Sequence, residues 1–399
     1  MKNIRLAIVI PTRNRAALAA QSVESVLTSY AGDDVGVIIS DNSTDISESV
    51  ILDRYFSSVG SRVQLIRPMT PLGMTAHWNF AIDYAMSAAP YTHFTVLTDR
   101  MLFKVNCIKH ILSILSSFQN DVLSYTYDRI HDADTSCPII YRPLPRSGDL
   151  IRIESERLLA MSAHMSFPSC LPRMLNSVSP REHLNKLKIR FAKVFSSIAP
   201  DFNFCYRTLD ICKSFVYYDR AVLINYSQGR SNGASFARGV MTRDSEDFMK
   251  NLDGNRLNEC SPLPAVLTVG NSIVHEYCIA KRLSHSGKFP EISIDAYMDF
   301  LAAEVLQFKD AHVTSESLRL LRRYGWKPRL QFHLARWKSK MVEIILDLCA
   351  RKFGTVKEAV SYACSHTTPV WAWFPHPSRG YGLKIPFPVP GKNNGHSNL

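Results

Sequence analysis

The chain has 399 residues, of which 46% are hydrophobic and 21% charged, a composition typical of globular proteins. No apolar stretch of about 18 residues is present, so we expect no transmembrane helix. We expect no secretory signal either, because the apolar run at 6–10 is short and Pro11 ends it, and the nine scattered cysteines favour a reduced, cytoplasmic protein. Most of the net charge of +12 comes from residues 319–357, which hold eleven Lys and Arg against two acids. We expect no exposed aromatics interleaved with these charges and find no known binding module, so this block does not predict nucleic-acid binding.

Apolar, β-branched runs alternate with helical patterns through the first 117 residues. The predicted strands are 6–10, 35–39, 63–66 and 93–97, and the predicted helices are 16–30, 45–56, 75–87 and 106–117. This alternation predicts an α/β fold in which helices cover both faces of a parallel sheet.

Polar segments follow three of these strands, at residues 12–15, 41–45 and 98–100. The carboxyl ends of parallel strands meet at one edge of a sheet, and ligands bind there in open α/β folds. The sequence therefore predicts one binding site that all three segments line.

The pattern changes further along the chain. Residues 122–232 read as mixed strands and helices, including a helix at 201–215 and a strand at 217–226. Beyond residue 265 the pattern is helical and includes a long helix at 329–352, whereas the last residues are rich in Pro, Gly and Asn. We therefore predict three regions: a catalytic-type domain at 1–235, a helical C-terminal region at 236–374, and an irregular or disordered tail at 375–399.

Several motifs in the first hundred residues occur together. They are Ile-Val-Ile-Pro-Thr-Arg-Asn-Arg at 8–15, Ser-Val-Glu-Ser-Val-Leu at 22–27, Ile-Ser-Asp-Asn-Ser-Thr-Asp at 39–45, and Gly73 followed by Asn79. Over residues 5–235 the chain resembles the family 2 glycosyltransferases, which are inverting enzymes of the GT-A fold. The resemblance implies a mixed, mainly parallel sheet flanked by helices, here with a helical C-terminal extension. It also implies a nucleotide-sugar donor, linked to UDP or dTDP.

The resemblance implies roles for the polar segments. Thr12 and Arg15 would line the nucleotide pocket, Asp41 would accept a hydrogen bond from the base or ribose, and Arg13 would contact phosphate. The alternative for Asp41 is a purely structural role in a turn. The predicted substrate-binding residues are Pro11, Thr12, Arg13, Arg15, Asp41, Asn79, Thr98, Asp99, Arg207, Arg230 and Ser231.

In this family the fourth strand usually ends in Asp-x-Asp, which holds a divalent metal on the diphosphate. Here the segment is Thr98-Asp99-Arg100, with one acid. Either Asp99 still binds Mg²⁺ or Mn²⁺ with substrate phosphates and water, or Arg100 replaces the metal and counters the leaving diphosphate. In a third interpretation the site is degenerate, and the protein is a catalytically inactive binder of nucleotide sugars.

Asp201 is the predicted general base. In the family a Glu-Asp pair opens a helix and an arginine follows six residues later; Asp201 and Arg207 keep that spacing, although Pro200 replaces the glutamate. Inversion needs a carboxylate that removes the proton of the acceptor hydroxyl. A loop containing Arg230 and Ser231 would fold over the diphosphate, although a simple surface turn is as good an interpretation.

The predicted helix at 329–352 carries an apolar stripe that includes Trp337, together with several Lys and Arg. This composition is typical of a helix lying on an anionic membrane, and a helix packed on the catalytic domain is the alternative. With the resemblance, it implies a cytoplasmic enzyme, peripheral at the inner face of the membrane. Its acceptor would be a glycan or a lipid-linked sugar, in bacterial surface polysaccharide synthesis.

Overall fold

The computed structural model describes residues 4–59, 62–88, 90–132, 138–144, 146–230, 242–252, 254–348, 350–366 and 380–387. The strands are β1 (Leu6–Thr12), β2 (Val35–Asp41), β3 (Val63–Ile66), β4 (His93–Val96), β5 (Met101–Phe103), β6 (Leu123–His131), β7 (Ile139–Arg142), β8 (Leu150–Glu154), β9 (Ser177–Pro180), β10 (Ser214–Asn225), β11 (Arg351–Phe353) and β12 (Leu383–Ile385).

Helices alternate with the early strands and dominate the later chain. The helices are α1 (Ala16–Ser29), α2 (Ile46–Phe56), α3 (Met74–Ala88), α4 (Cys107–Ser117), α5 (Ser155–Ala163), α6 (Arg181–Phe191), α7 (Pro200–Ile211), α8 (Arg243–Lys250), α9 (Val269–Leu283), α10 (Ile294–Val305), α11 (Ala311–Arg323), α12 (Leu330–Leu348) and α13 (Val356–Ser365).

The strands form one mixed sheet, whose central path runs in the order β12-β8-β10-β6-β9-β4-β1-β2-β3. Strands β1 to β4 are mutually parallel, and β9 joins them to β6 by antiparallel pairing on both of its sides. The predicted α/β architecture, a sheet flanked by helices with a helical C-terminal region, is confirmed.

Strand β1 explains why the sheet is covered on both faces. Its residues are all buried, and they alternate between two hydrophobic clusters: Leu6 and Ile8 belong to one cluster and Ala7 and Val9 to the other. A continuous β-branched run fits such a position, because neither face has to be polar. The polar ends of β1 and β4 are then left at the open carboxyl edge.

The C-terminal region is not exclusively helical. The predicted helix 329–352 ends at Leu348, and Arg351–Phe353 instead pairs with β7. The predicted irregular tail contains the strand Leu383–Ile385, which extends the sheet beyond β8. Both corrections have the same cause: a three-residue strand shows no hydrophobic period and forms only because an open sheet edge is available.

Helix α9 connects the C-terminal region to the rest of the molecule. Its residues Ile273 and Tyr277 share a hydrophobic cluster with Tyr206 and Leu209 of α7. The predicted boundary at residue 235 therefore runs between segments that share one core. Within the described residues, no helix is both long enough and apolar enough to cross a membrane.

Candidate active site

A cleft of about 940 Å³ opens at the carboxyl ends of β1 and β4 and continues to the amino-terminal ends of α7 and α8. Many of the predicted site residues meet in it. Those that line the cleft are Pro11, Thr12, Arg13, Arg15, Thr98, Asp99, Arg100, Asp201 and Arg230. The prediction that the segments after β1 and β4 share one site agrees with this geometry.

Asp99 lies buried at the floor of the cleft, just after β4. One of its carboxylate oxygens accepts a hydrogen bond from Thr12 Oγ1 at 3.0 Å, and the other lies 3.3 Å from Arg15 Nη1. Burial alone would lower the pKa of Arg15, but Asp99 and Asp244 raise it. Arg15 thus stays charged between two carboxylates.

Helix α8 covers this end of the cleft with two acidic side chains. Asp244 lies 2.7 Å from Arg230 Nε and 3.6 Å from Arg15 Nη2, and Asp247 lies 2.8 Å from Arg13 Nε. Arg13, Arg15 and Arg230 are therefore all paired with acids.

Arg100 differs from these paired arginines. Among the described residues its guanidinium makes no hydrogen bond or ion pair, and its Nε is buried without a partner. Burial lowers the pKa of Arg100, and the charge of Asp99 opposes that effect. The neighbouring Thr98 Oγ1 is also buried and unpartnered. Both groups line the cleft and are available to a ligand.

Asp201 occupies the first turn of α7, directly after Pro200. Proline suits this position because the missing N–H would have no helical partner. Burial raises the pKa of Asp201, although Arg173, whose Nη1 lies 3.8 Å from the carboxylate, acts in the opposite direction. A carboxylate with a raised pKa is a stronger base than an exposed one.

A buried glutamate that the sequence reasoning missed holds the backbone ahead of Asp201. Glu276 of α9 accepts hydrogen bonds from the backbone N–H groups of Ile198 at 3.1 Å and Ala199 at 2.7 Å, and from Asn203 Nδ2 at 2.9 Å. Burial raises the pKa of Glu276 to about 8 against the effect of these hydrogen bonds. Glu276 lies far from Asp201 along the chain, so no local sequence pattern indicates that the two residues belong to one site.

Arg173 and Tyr127 were also missed. The Tyr127 hydroxyl accepts hydrogen bonds from Arg173 Nη2 at 3.1 Å and from Arg129 Nη2 at 3.2 Å. Burial alone would raise the pKa of Tyr127, but these two guanidinium groups lower it to about 7. Arg173 thereby links Tyr127 to Asp201. Neither residue belongs to a recognisable motif, because the contact forms only when β6 packs against the segment that precedes β9.

Two predicted substrate-binding residues have structural roles instead and do not line the cleft. Asp41 is buried, and its carboxylate accepts hydrogen bonds from Arg67 Nε at 2.8 Å, Ser49 Oγ at 2.8 Å and the Ser43 backbone at 3.0 Å. The turn role weighed as its alternative describes this geometry. The Asn79 side chain exchanges two hydrogen bonds with the Phe195 backbone, at 2.9 and 3.1 Å.

Arg207 keeps the predicted spacing from Asp201 but points into the core. Its Nη1 donates to the Lys193 carbonyl at 3.3 Å, and its guanidinium lies 4.5 Å from the centre of the Phe191 ring. Burial lowers the pKa of Arg207 to about 10. Residues six apart in a helix point in directions about 120° apart. The side chains of Asp201 and Arg207 therefore do not share a face of α7. Ser231 lies outside the described residues.

The donor set at Asp99 does not fit a divalent cation held by protein side chains alone. Thr12 and Arg15 already occupy the two carboxylate oxygens. Among the described residues no three His, Cys, Asp or Glu side chains come together as a metal site requires. The assignment of Mg²⁺ or Mn²⁺ to Asp99 stays a prediction that needs ligands from the substrate.

Comparisons with known proteins identify the domain that carries the cleft. No curated protein matches the chain. Among solved structures, S. aureus TarS residues 1–349 in complex with UDP-GlcNAc has a TM-score of 0.45 at 12% identity, covering 82% of this chain and 93% of that chain. The UDP complex has a TM-score of 0.44 at 13% identity, with the same coverage. A longer TarS structure has a TM-score of 0.42 at 12% identity and covers 78% of this chain, which spans 50% of that one.

Residues 7–176 match the family described as "Glycosyl transferase family 2". The matched range begins in β1 and ends just before β9, so it contains Thr12, Arg15, Asp99 and Arg100 and stops short of Asp201. Residues 7–176 are therefore similar to the family 2 glycosyltransferases, the family that the motifs of the first hundred residues resemble.

Proposed function

We propose that this protein transfers a sugar from a nucleoside-diphosphate donor, linked to UDP or dTDP, to a glycan or lipid-linked acceptor, with inversion at the anomeric carbon. The bacterial cell surface is the proposed destination of the product. The observation that carries the proposal is the cleft itself. It holds a cation that has no partner among the described residues, Arg100, and a partly buried carboxylate with a raised pKa, Asp201.

The two groups suit opposite sides of the reaction. Asp201 would accept the proton of the acceptor hydroxyl as the new glycosidic bond forms. Arg100 would counter the negative charge that develops on the diphosphate as the old bond breaks. A guanidinium matches phosphate oxygens in a bidentate manner, so Arg100 would supply the charge that a metal supplies elsewhere in the family.

The test is a transfer and hydrolysis assay of the full chain on UDP- and dTDP-sugars, with EDTA in one arm and Mn²⁺ in another. We expect turnover that EDTA leaves unchanged. Turnover that requires Mn²⁺ would mean that a metal bound at Asp99, and not Arg100, stabilises the leaving diphosphate. Nucleotide binding without turnover on any donor and acceptor would favour the inactive binder, the interpretation that the single acid at Asp99 suggests.

In this proposal Asp244 and Asp247 of α8 compete with the donor phosphates for Arg13, Arg15 and Arg230. We expect the double substitution Asp244→Asn and Asp247→Asn to lower the Kd for UDP or dTDP roughly fivefold, because each of the two partly exposed acids contributes about 0.5 kcal/mol through its ion pairs. Isothermal titration measures the change. Asp295→Asn, which breaks a pair with Arg329 outside the cleft, is the control. A weaker affinity in the double variant would mean that the acids help to hold the donor.

We also propose that α12 rests on an anionic membrane, where a lipid-linked acceptor would be met. The side chains of Leu330, Leu334, Trp337, Met341 and Ile344 recur at helical spacing and are 40–74% exposed. Lys338 and Lys340 lie on the same helix and are also exposed, and Arg336 of this helix is partly exposed. An exposed apolar stripe beside lysines and arginines matches the chemistry of an anionic bilayer surface.

Vesicle sedimentation tests this contact. The protein is expected to bind vesicles of phosphatidylcholine and phosphatidylglycerol but not vesicles of phosphatidylcholine alone. Trp337→Ser should weaken binding severalfold, since an interfacial tryptophan contributes apolar area and anchoring. Ile189→Ser removes an 86% exposed apolar residue on α6 and is the matched control. A concentration-dependent dimer that Trp337→Ser disrupts, without vesicle binding, would assign the stripe to a second copy.

A further inference from the structure

The arginines of the cleft fall into two groups that differ in their partners. At the end covered by α8, Arg13, Arg15 and Arg230 are each within 3.6 Å of an acidic oxygen. Beside Asp201, Arg129 and Arg173 both donate to the Tyr127 hydroxyl, and of the two only Arg173 lies within ion-pair distance of a carboxylate among the described residues. The second group therefore carries excess positive charge, whereas Asp99, Asp244 and Asp247 balance the three arginines of the first group.

Arg129 is the exposed member of this second group. Its Nη2 donates to the Tyr127 hydroxyl, and its guanidinium lies 5.5 Å from the centre of the Tyr127 ring. Among the described residues no carboxylate lies within ion-pair distance of it. Strand pairing places Asn225 beside Arg129, and the Oδ1 of Asn225 is buried without a hydrogen-bond partner.

Arg173 is more enclosed and completes the group. It donates to the Tyr127 hydroxyl and to Asn176 Oδ1, and among the described residues its one acidic ion-pair partner is Asp201 at 3.8 Å. Tyr127 contributes no charge while its hydroxyl is protonated. Two guanidinium groups against one carboxylate leave a net positive patch that lines the cleft next to the proposed base.

We propose that Arg129, Arg173 and Tyr127 form a subsite for an oxyanion of the acceptor, such as a phosphate group close to the hydroxyl that receives the sugar. Guanidinium groups pair with phosphate oxygens through two hydrogen bonds, which fixes the orientation of the ligand as well as its position. The inference rests on the proposed function, since it names the acceptor class for the same cleft. It places the anion next to Asp201, at arginines other than those assigned to the donor.

Tyr127 makes this subsite sensitive to pH. Its hydroxyl faces Arg129 and Arg173 directly, Arg100 lies near it, and Asp201 lies beyond Arg173. With a pKa of about 7, Tyr127 becomes a phenolate above neutrality and cancels one positive charge. Anion binding at the subsite should therefore weaken as the pH rises from 6 to 8.

Sulfate is the probe, because it stays dianionic over this pH range. It is titrated into the full chain that is already saturated with UDP, and its Kd is measured by calorimetry. We expect Arg129→Gln to raise the Kd for sulfate about tenfold and to change the Kd for UDP less than twofold. Arg351→Gln is the matched control, since Arg351 is exposed and lies over the Tyr362 ring outside the cleft. Tyr127→Phe should abolish the pH dependence of sulfate binding.

Three results would overturn the inference: no sulfate binding to the wild-type protein, competition between sulfate and UDP, or an equal loss of both ligands in Arg129→Gln. The last two would assign Arg129 to the donor diphosphate. The proposed function fails separately, by an absence of UDP and dTDP binding. If the protein bound neither UDP nor dTDP but bound sulfate in a manner that depends on Arg129, the anion subsite would still be supported.

Discussion

Asp201→Asn is expected to lower kcat at least about a hundredfold while the Kd for the donor nucleotide changes less than twofold. The amide keeps the shape of the carboxylate but cannot accept the proton of the acceptor hydroxyl. Because Asp201, among the described residues, pairs with Arg173 and with none of the arginines that are paired with α8, the donor end of the cleft should be unaffected. Steady-state kinetics and calorimetry with UDP or dTDP measure the two effects.

Asp121→Asn is the control for this substitution. Asp121 is 27% exposed and paired with Arg152, which is comparable to the 18% exposure of Asp201 beside Arg173, and it lies outside the cleft. Turnover at the wild-type rate in Asp201→Asn would remove Asp201 from the mechanism. A loss of nucleotide binding along with turnover would show that the substitution disturbs the cleft as a whole.

The pH profile gives a second measure of Asp201. The base must be ionised to work, so kcat/KM should fall as the pH drops below the raised pKa of Asp201. The positive charge of Arg173 opposes the effect of burial on that pKa. Arg173→Met should therefore move the acidic limb of the profile to higher pH, an outcome that simple misfolding would not produce.

Arg100→Ala should lower kcat about a hundredfold or more, with a much smaller effect on the Kd for the donor nucleotide. An unpartnered guanidinium acts mainly on the charge that develops as the diphosphate leaves, and that charge is largest in the transition state. Single-turnover kinetics separate the chemical step from binding. Arg100→Lys should recover part of the rate, since it keeps the charge and loses the bidentate geometry.

Arg319→Ala, which removes an arginine that is 84% exposed on α11, is the control for Arg100→Ala. An unchanged rate in Arg100→Ala would exclude Arg100 from the mechanism. If the affinity for the donor fell as much as the rate, Arg100 would bind ground state and transition state equally and would serve as a donor-binding residue.

The first hundred residues determined the amino-terminal half of the sheet and the location of the site. Strand β1 needs no tertiary information to be recognised, since five consecutive apolar residues from Leu6 to Ile10 suit only a strand buried on both faces. The sequence did not predict the short strands β11 and β12. Three residues are too few to show a hydrophobic period, and such a strand pairs only where a sheet edge is free.

The sequence likewise predicted some residues of the candidate site and not others. Thr12, Arg15, Asp99 and Arg100 follow strand ends that share one edge, so their meeting in the cleft followed from the order of strands and helices. Asp41 follows a strand of the same edge, but neighbouring hydroxyls and Arg67 occupy its oxygens. Sequence specifies where a strand ends; which contacts a side chain makes there depends on the groups packed around it.

The sequence by itself determined the α/β class, which depends on local pattern, and the resemblance to family 2, which proposes Asp201 as the base. Only the tertiary structure decided which residues surround that base. Arg173, Tyr127 and Glu276 come from segments up to 149 positions apart, brought together by the packing of β6, α7 and α9. No local pattern encodes such contacts, since they arise when buried polar groups far apart in the chain must satisfy one another.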